Sequence, residues 1–201
     1  LLATAMSGRR EAGLLAAITW GLSGYLTGYP LHQLPVLETI SWLPWALLCL
    51  HRAAQAERPA RWLAAAAAAL ALCALAGHPQ TLMQGAYLAL AFFLHAAWRA
   101  RWTWGAIARW GACLVLLSAA MAAPLWLPVL DYYPLTARAQ VGYDYVRSGI
   151  PLQDAIQLLV PNSLTLWAPQ YVGMGALLLL CLAWLRRSAL PEARRSQVIF
   201  W

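Results

Sequence analysis

Long apolar blocks alternate with short polar turns along this chain. The longer blocks run for about 17 to 22 residues with very few charged side chains, which is the length that an α-helix needs to cross a hydrocarbon core of roughly 30 Å; the second, third and sixth blocks are shorter. Their length and low polarity are typical of membrane-spanning helices. The pattern predicts six spans, at about residues 11–27, 36–50, 62–76, 81–98, 107–129 and 172–185.

The amino-acid composition agrees with this pattern. The 201 residues are 62% hydrophobic and 10% charged, whereas a soluble domain is roughly 45–50% apolar and about 25% charged. A water-soluble globule is therefore excluded. We predict an all-α, polytopic bundle of transmembrane helices formed by residues 1–201 as a single region. Both ends resemble cuts through apolar runs, so we expect an interior fragment of a longer protein.

The arginines predict the orientation of this bundle. Lysine is absent, and twelve of the fourteen arginines precede span one, separate spans two from three and four from five, or follow span six. Arginines in short loops stay on the cytoplasmic side, so the turns at 28–35 and 77–80 and the connection at 131–170 are predicted to face outward, away from the cytoplasm. The orientation of the chain in a lipid bilayer, its expected partner, therefore explains the net charge of +7. A nucleic-acid partner is not expected.

The four cysteines give no sign of a metal centre. Each lies alone inside an apolar block, without a second ligand at zinc spacing; they are Cys49, Cys73, Cys113 and Cys181. We expect them to pack against neighbouring helices, and we expect neither a metal site nor a cofactor.

A carboxylate near the first outer turn is the first candidate for chemistry. Glu38 lies about one turn into the second span, just after the turn that holds His32. A carboxylate within a span costs roughly 2.5–3.5 kcal/mol on insertion scales and is usually paired or faces a wet cavity. Two interpretations stay open: Glu38 caps a helix start at the interface, or Glu38 and His32 edge a water-accessible site.

The second outer turn combines two turn residues with two hydrogen-bonding ones. Gly77 suits the left-handed position after a helix, and Pro79 suits the first turn of the next helix. A tight helical hairpin accounts for both of these residues. It does not account for His78 and Gln80, for which contact with lipid headgroups and contact with a substrate are equally open.

The third outer segment, 131–147, is the richest in polar chemistry. Arginine forks match phosphate oxygens, tyrosines stack on or hydrogen-bond to sugars, and carboxylates accept hydroxyl protons. The alternative is a solvated loop with internal Arg–Asp pairs. Residues 151–160 further predict a short amphipathic helix on the outer surface. The charged and phenolic residues of the segment are Asp131, Tyr132, Tyr133, Arg138, Tyr143, Asp144, Tyr145 and Arg147.

The order and spacing of several short motifs resemble those of the YfhO-like bacterial membrane proteins. Each motif alone is common, but together they extend over nearly the whole chain. This family resembles the GT-C superfamily, which are membrane glycosyltransferases that use polyprenyl-phosphate sugars. The motifs are Gly24-Tyr25, Trp42-Leu43-Pro44, Gly77-His78-Pro79-Gln80-Thr81, Ala123-Pro124 with Leu127-Pro128, Thr136-Ala137-Arg138, and Tyr171-Val172-Gly173.

The resemblance implies inverting transfer of a sugar from a lipid phosphate to an envelope glycan or glycolipid, on the extracytoplasmic face of the bacterial inner membrane. It implies phosphate contact by Arg138 and Arg147, an auxiliary acid at Asp131, and sugar or acceptor contact by His78, Gln80, Tyr132 and Tyr143, with Glu38 and His32 at the edge.

Two departures from the family pattern bear on this expectation. The catalytic base of GT-C enzymes commonly follows the first span, and this sequence is expected to begin after it. Thr136 also stands where the family usually has serine.

Two other functions stay open. A transporter or lipid flippase would need charged or helix-breaking residues deep in several spans, to which only Glu38 and Pro44 come close. A membrane scaffold would tolerate replacement of 131–147.

Overall fold

The computed structural model describes residues 1–28, 33–140, 156, 160, 174–186 and 189. These residues are almost entirely helical, and no strand occurs among them, which confirms the all-α prediction. The helices are α1 (Leu2–Ser7), α2 (Arg10–Gly21), α3 (Gly24–Gly28), α4 (Leu34–Gln55), α5 (Ala60–Leu75), α6 (Pro79–Arg99), α7 (Trp104–Met121), α8 (Ala123–Tyr132) and α9 (Met174–Leu185).

The chain forms two compact units. The first comprises residues 1–13 and 32–150, and the second comprises 14–31 and 151–201. The second unit holds most of α2, together with α3 and α9. Ser23 separates α2 from α3, because its hydroxyl donates to the Trp20 carbonyl at 2.9 Å and accepts from the Leu26 N–H at 3.4 Å. The predicted first span, 11–27, is therefore two short helices.

Helices α4 to α7 of the first unit are joined by short turns and alternate in direction along the chain. The turns are residues 56–59, 76–78 and 100–103. Helix α4 packs against α5 and α6, and α5 packs against α7. The C-terminal ends of α4 and α6 therefore lie at one end of these helices, and the C-terminal ends of α5 and α7 lie at the other.

Small residues let α5 approach its neighbours closely, because alanine side chains leave the backbones little to separate them. The buried face of α5 includes Ala66, Ala67 and Ala71. Phe92, Leu50 and Val36 are the largest fully buried side chains. The alanine-rich face of α5 is thus a helix-packing surface.

Among the described residues, three helices are long and apolar enough to cross a membrane: α4, α6 and α7. They correspond to predicted spans two, four and five. Helix α5 matches predicted span three, but it has 16 residues and extends about 24 Å at 1.5 Å per residue. Helix α9 covers residues 174–185 of predicted span six, 172–185, and has 12 residues. The described helices therefore support a membrane protein but not six spans.

The predicted fifth span, 107–129, is broken at Ala122. Helix α7 ends at Met121, and Ala122 is both its C-cap and the N-cap of α8. Pro124 has no N–H to donate to a carbonyl one turn earlier, and its ring crowds that carbonyl. The chain therefore starts a new helix at Ala123, in which Pro124 occupies the first turn, where no N–H is required.

Large apolar side chains are exposed over much of the surface. In α7, all of whose residues are described, Leu114 is the only buried residue. Val115 and Leu116 are 64% and 69% exposed. Continuous apolar surface of this extent marks contact with lipid or with other protein. The exposed faces agree with the membrane character that the sequence predicts.

Candidate functional site at the polar end

The polar end of the first unit consists of residues 33–38, 76–80 and 129–135. It contains the start of α4, the turn between α5 and α6, and the end of α8. A buried cluster of Ala71, Ala74 and Ala122 lies beneath it, and Leu82 and Trp126 pack against this cluster. The start of α6 and the first turn of α8 therefore share one packing site, which brings the segments that carry His78 and Asp131 to the same end of the helices. We predict that the side chains of His78 and Asp131 lie close to each other.

His78 is the N-cap of α6. Its backbone is extended, and its Nδ1 accepts from the Thr81 backbone N–H at 3.2 Å and lies 2.7 Å from Thr81 Oγ1. The imidazole thus satisfies an N–H group at the helix start that has no partner within the helix. The sequence analysis treated His78 as unnecessary for the turn, and this interpretation was wrong. The signal in the sequence was the spacing of His78 and Thr81, which matches an N-cap residue and the third residue of its helix.

Burial lowers the pKa of the His78 imidazole below its ordinary value, because desolvation disfavours the charged ring. Two donors at Nδ1 likewise require a neutral ring with its proton on Nε2, as assigned from the hydrogen bonds. His78 therefore caps the helix with one nitrogen and keeps an N–H donor on the other. Thr81, which the sequence analysis did not select as a site residue, is 6% exposed and fixes this tautomer.

Glu38 lies on the exposed face of α4. The N-cap of α4 is Gln33, and no side-chain hydrogen bond caps this helix, so the capping role considered for Glu38 is not observed. Trp42 and Trp45, which are 40% and 50% exposed, follow at positions four and seven residues later. Side chains at this spacing share one face of a helix. The interpretation that stays open is that Glu38 and His32 edge a water-accessible site, although His32 lies outside the described residues.

Asp131 and Tyr132 are exposed and lie in the last turn of α8, not in a loop as the sequence analysis predicted. A carboxylate is unfavourable at the C-terminal end of a helix, where the helix dipole is negative. Helix stability therefore does not explain Asp131. Tyr132 is 66% exposed, and a 3-10 turn at Tyr133–Leu135 follows it. Gln80, in the first turn of α6, is exposed as well.

Several predicted site residues fall outside the described part of the chain. These are His32, Tyr143, Arg147 and the side chain of Arg138. The backbone of Arg138 lies in a 3-10 turn at Ala137–Gln140. The amphipathic helix predicted at 151–160 also falls largely outside it.

The described residues of the polar end supply hydrogen-bond donors and acceptors. His78 and Gln80 offer N–H donors, Tyr132 offers a hydroxyl, and Glu38 and Asp131 offer carboxylates that accept. This set suits a ligand with many hydroxyl groups. In the described residues, no three His, Cys, Asp or Glu side chains come together to hold a metal ion.

Comparisons with known proteins add no further constraint. No protein-family model, no curated protein and no solved structure matches this chain.

Proposed function

We propose that this chain is part of a membrane glycosyltransferase that moves a sugar from a polyprenyl-phosphate donor to an envelope acceptor. The observation that carries the proposal is the separation of polar groups along the helices. Hydrogen-bonding residues and the carboxylate of Asp131 lie at the polar end, while arginines collect at the opposite ends of α4 and α6. The motifs shared with YfhO-like proteins also support it, because several of them fall on the polar end, including His78-Pro79-Gln80 and Ala123-Pro124.

The proposed reaction takes place at the extracytoplasmic leaflet of the bacterial inner membrane. The acceptor hydroxyl oxygen attacks the anomeric carbon while a carboxylate accepts the hydroxyl proton, and the bond from that carbon to the phosphate oxygen breaks. The departing polyprenyl phosphate keeps the bonding electrons. Arg138 and Arg147 would stabilise its charge, and Asp131 would serve as an auxiliary proton acceptor.

The contacts of the sugar would come from the other residues of the polar end. His78 offers its Nε2 proton, and Gln80 and Tyr132 lie exposed beside the turn and on α8 respectively. Glu38 with Trp42 and Trp45 would hold a sugar ring, since indoles stack on its apolar face and carboxylates accept from its hydroxyls. His32 and Tyr143 complete the proposed set.

The test is transfer of a radiolabelled sugar from polyprenyl phosphate by membranes that contain the full-length protein. Asp131→Asn should lower the transfer rate by about 100-fold, which is the lower range for loss of a general base. The matched control is Glu57→Gln, which also converts an exposed carboxylate to an amide but lies in the turn between α4 and α5. Equal activity of both variants and the wild type would contradict the role of Asp131. Absence of transfer by the wild type would contradict the proposed function.

A lipid flippase is the second candidate, because two helices carry irregular features. Pro44 lies inside α4, and Ala122 separates α7 from α8. Transporters use interrupted helices to form sites near the midplane. A fluorescent polyprenyl phosphate that crosses reconstituted vesicles, without any sugar transfer, would favour this function over the first.

A further inference from the structure

Six exposed arginines occupy the end of the helices opposite the polar end. We define the arginine end by these six: Arg52, Arg58, Arg61, Arg99, Arg101 and Arg109. Glu57 is the one acidic residue within the turns 56–59 and 100–103. Among the described residues, the one ion pair joins Arg9 and Glu11. The arginine end therefore carries a large positive charge without acidic partners in the part of the chain that is described.

The helix ends explain only two of these arginines. Arg52 and Arg99 lie in the last turns of α4 and α6, where a cation complements the helix dipole. Both also act electrostatically on the His51 imidazole, which places the ends of α4 and α6 close together. Arg61 and Arg109, in contrast, lie in the first turn of α5 and the second turn of α7. The positive end of the dipole disfavours a cation there, so helix stability does not account for them.

The backbone of Arg101 points to a role for its side chain. Arg101 has φ of 55°, a left-handed conformation that glycine adopts at much lower cost. Its N–H donates to the Trp98 carbonyl and the Trp102 N–H donates to the Ala97 carbonyl, each at 3.0 Å. This is the Schellman pattern that ends a helix, and its left-handed residue is usually glycine. An arginine at this position costs stability that its guanidinium must offset through some other interaction.

Tryptophans lie among these arginines. The Arg61 and Arg109 guanidinium carbons lie 5.3 Å and 4.9 Å from the ring centroids of Trp62 and Trp110. Trp104, at the start of α7, is 82% exposed. Indole rings favour the boundary between headgroups and acyl chains. Tryptophans at this end therefore favour the depth at which lipid phosphates lie.

We propose that the arginine end binds the headgroups of anionic phospholipids. Clusters of arginine beside membrane-spanning helices attract anionic lipids, and a phospholipid alone satisfies both features of this surface. Its phosphate pairs with the guanidinium groups, and its acyl chains lie beside the exposed indoles and apolar helix faces. Inorganic phosphate would satisfy only the cations. This inference does not depend on the proposed glycosyltransferase function.

The test measures lipid preference around the purified full chain in phosphatidylcholine nanodiscs. Brominated phosphatidylglycerol and brominated phosphatidylcholine are compared as quenchers of tryptophan fluorescence. The wild type should prefer phosphatidylglycerol by about fivefold or more at low salt, which is the effect of one arginine near an anionic surface. The triple variant Arg61→Gln, Arg101→Gly, Arg109→Gln keeps three of the six arginines and should lower this preference by at least about half. Arg61→Gln and Arg109→Gln remove no cation from a helix C-terminal end, and glycine is the usual residue at the left-handed position of Arg101, so the helices should stay folded.

Arg9→Gln is the matched control, because Arg9 Nε already lies 3.7 Å from Glu11 Oε2. It changes the net charge by the same amount as Arg101→Gly and should leave the preference unchanged. An equal preference for both lipids in the wild type, or a preference that the triple variant does not lower, would overturn the proposal. Displacement of phosphatidylglycerol by inorganic phosphate beyond that by chloride of equal ionic strength would also overturn it, in favour of a small-anion site. If the triple variant does not fold, the single variant Arg101→Gly must still lower the preference.

Discussion

The two ends of helices α4 to α7 turn the chain with the same left-handed conformation but with different residues. At the polar end the position is held by Gly77, with φ of 82°, and at the arginine end by Arg101, with φ of 55°. Glycine adopts this conformation without strain, whereas an L-residue with a side chain does not. The turn at the polar end is thus built for low strain, with its polar groups on the neighbouring residues. At the arginine end, the strained left-handed position is held by Arg101, whose side chain is a cation.

At each of the two ends, a charged residue opposes the dipole of its own helix. Asp131 lies where the helix dipole disfavours an acid, and Arg61 lies where it disfavours a base. Charges that oppose the dipole of their own helix must be explained by something outside that helix. At the polar end we assign this to a substrate, and at the arginine end to anionic lipid.

The largest difference between the ends is expected for arginine substitutions assayed by sugar transfer. Arg138→Ala should reduce transfer by about 30-fold or more, since loss of a charged donor that contacts a bound, desolvated phosphate costs about 2–5 kcal/mol. Arg138→Lys should impair transfer similarly, because an ammonium cannot replace a bidentate fork. Arg58→Ala, at the arginine end, should leave the rate close to the wild-type rate, as for an exposed ion pair of roughly 0–1 kcal/mol. Transfer assays with protein levels checked by blotting decide this. Near-normal activity of Arg138→Ala would favour the alternative interpretation, in which residues 131–147 form a solvated loop without a substrate contact.

The N-cap of α6 separates structural from chemical roles at the polar end. His78→Ala should lower the free energy of unfolding by about 0.5–2 kcal/mol, whereas His78→Asn should preserve it, because asparagine is a favoured N-cap residue. Thermal unfolding in detergent micelles, followed by circular dichroism, measures both. If His78 also contacts the sugar, His78→Asn should fold normally but transfer poorly. Full transfer by His78→Asn would show that the imidazole caps α6 and does not contact the sugar.

The two left-handed turns should respond to substitution in opposite directions. Gly77→Ala should destabilise the protein by about 1 kcal/mol, although no atom lies within 4 Å of the added Cβ, because the left-handed conformation costs roughly 1–2 kcal/mol in an L-residue. Arg101→Gly should stabilise it by up to about 1 kcal/mol, since the relief of that strain exceeds the added entropy of the unfolded chain, roughly 0.4–1 kcal/mol. The same unfolding measurement applies. Destabilisation by Arg101→Gly would indicate that its guanidinium stabilises the fold itself.

The smallest expected effect is a pH dependence specific to the polar end. The pKa of His78 is lowered by burial, so the folded state favours the neutral ring. Its contribution to stability is complete above the ordinary histidine pKa of about 6.5 and is lost as the pH falls through the lowered pKa. The difference in unfolding midpoint between wild type and His78→Asn should therefore change between about pH 7 and pH 5. A constant difference over this range would contradict the capping role of the neutral imidazole.

The sequence predicted the helical class and the positions of the longest helices, because length and apolar character survive without tertiary information. Predicted spans 36–50 and 81–98 lie inside α4 and α6, which extend further at their ends. The break at Ala122 was missed because Pro124 falls within a continuous apolar run that hydropathy alone cannot divide. A proline at this point was a usable signal for a new helix.

The candidate site was predicted less completely than the fold. Polar residue types identified the turn at His78 and the end of α8, but they did not reveal that His78 accepts from Thr81. A sequence shows which side chains can form hydrogen bonds, whereas the choice of partner depends on local backbone geometry. The opposing dipole at Asp131 likewise required the end of α8 to be known, since the sequence analysis placed this residue in a loop.

The functions proposed for the polar end and the arginine end require these two ends to lie on opposite sides of a membrane. Single cysteines at Gln80 and Glu57, introduced into a chain whose native cysteines are replaced, test this directly because both positions are exposed in turns or first turns. Replacement is needed since Cys113 and Cys181 are themselves exposed. In intact cells, an impermeant thiol reagent should label Gln80→Cys at once and Glu57→Cys only after the membrane is broken. Labelling of both positions in intact cells, or of neither, would contradict the membrane-spanning arrangement, and the reverse pattern would contradict the outward orientation of the polar end.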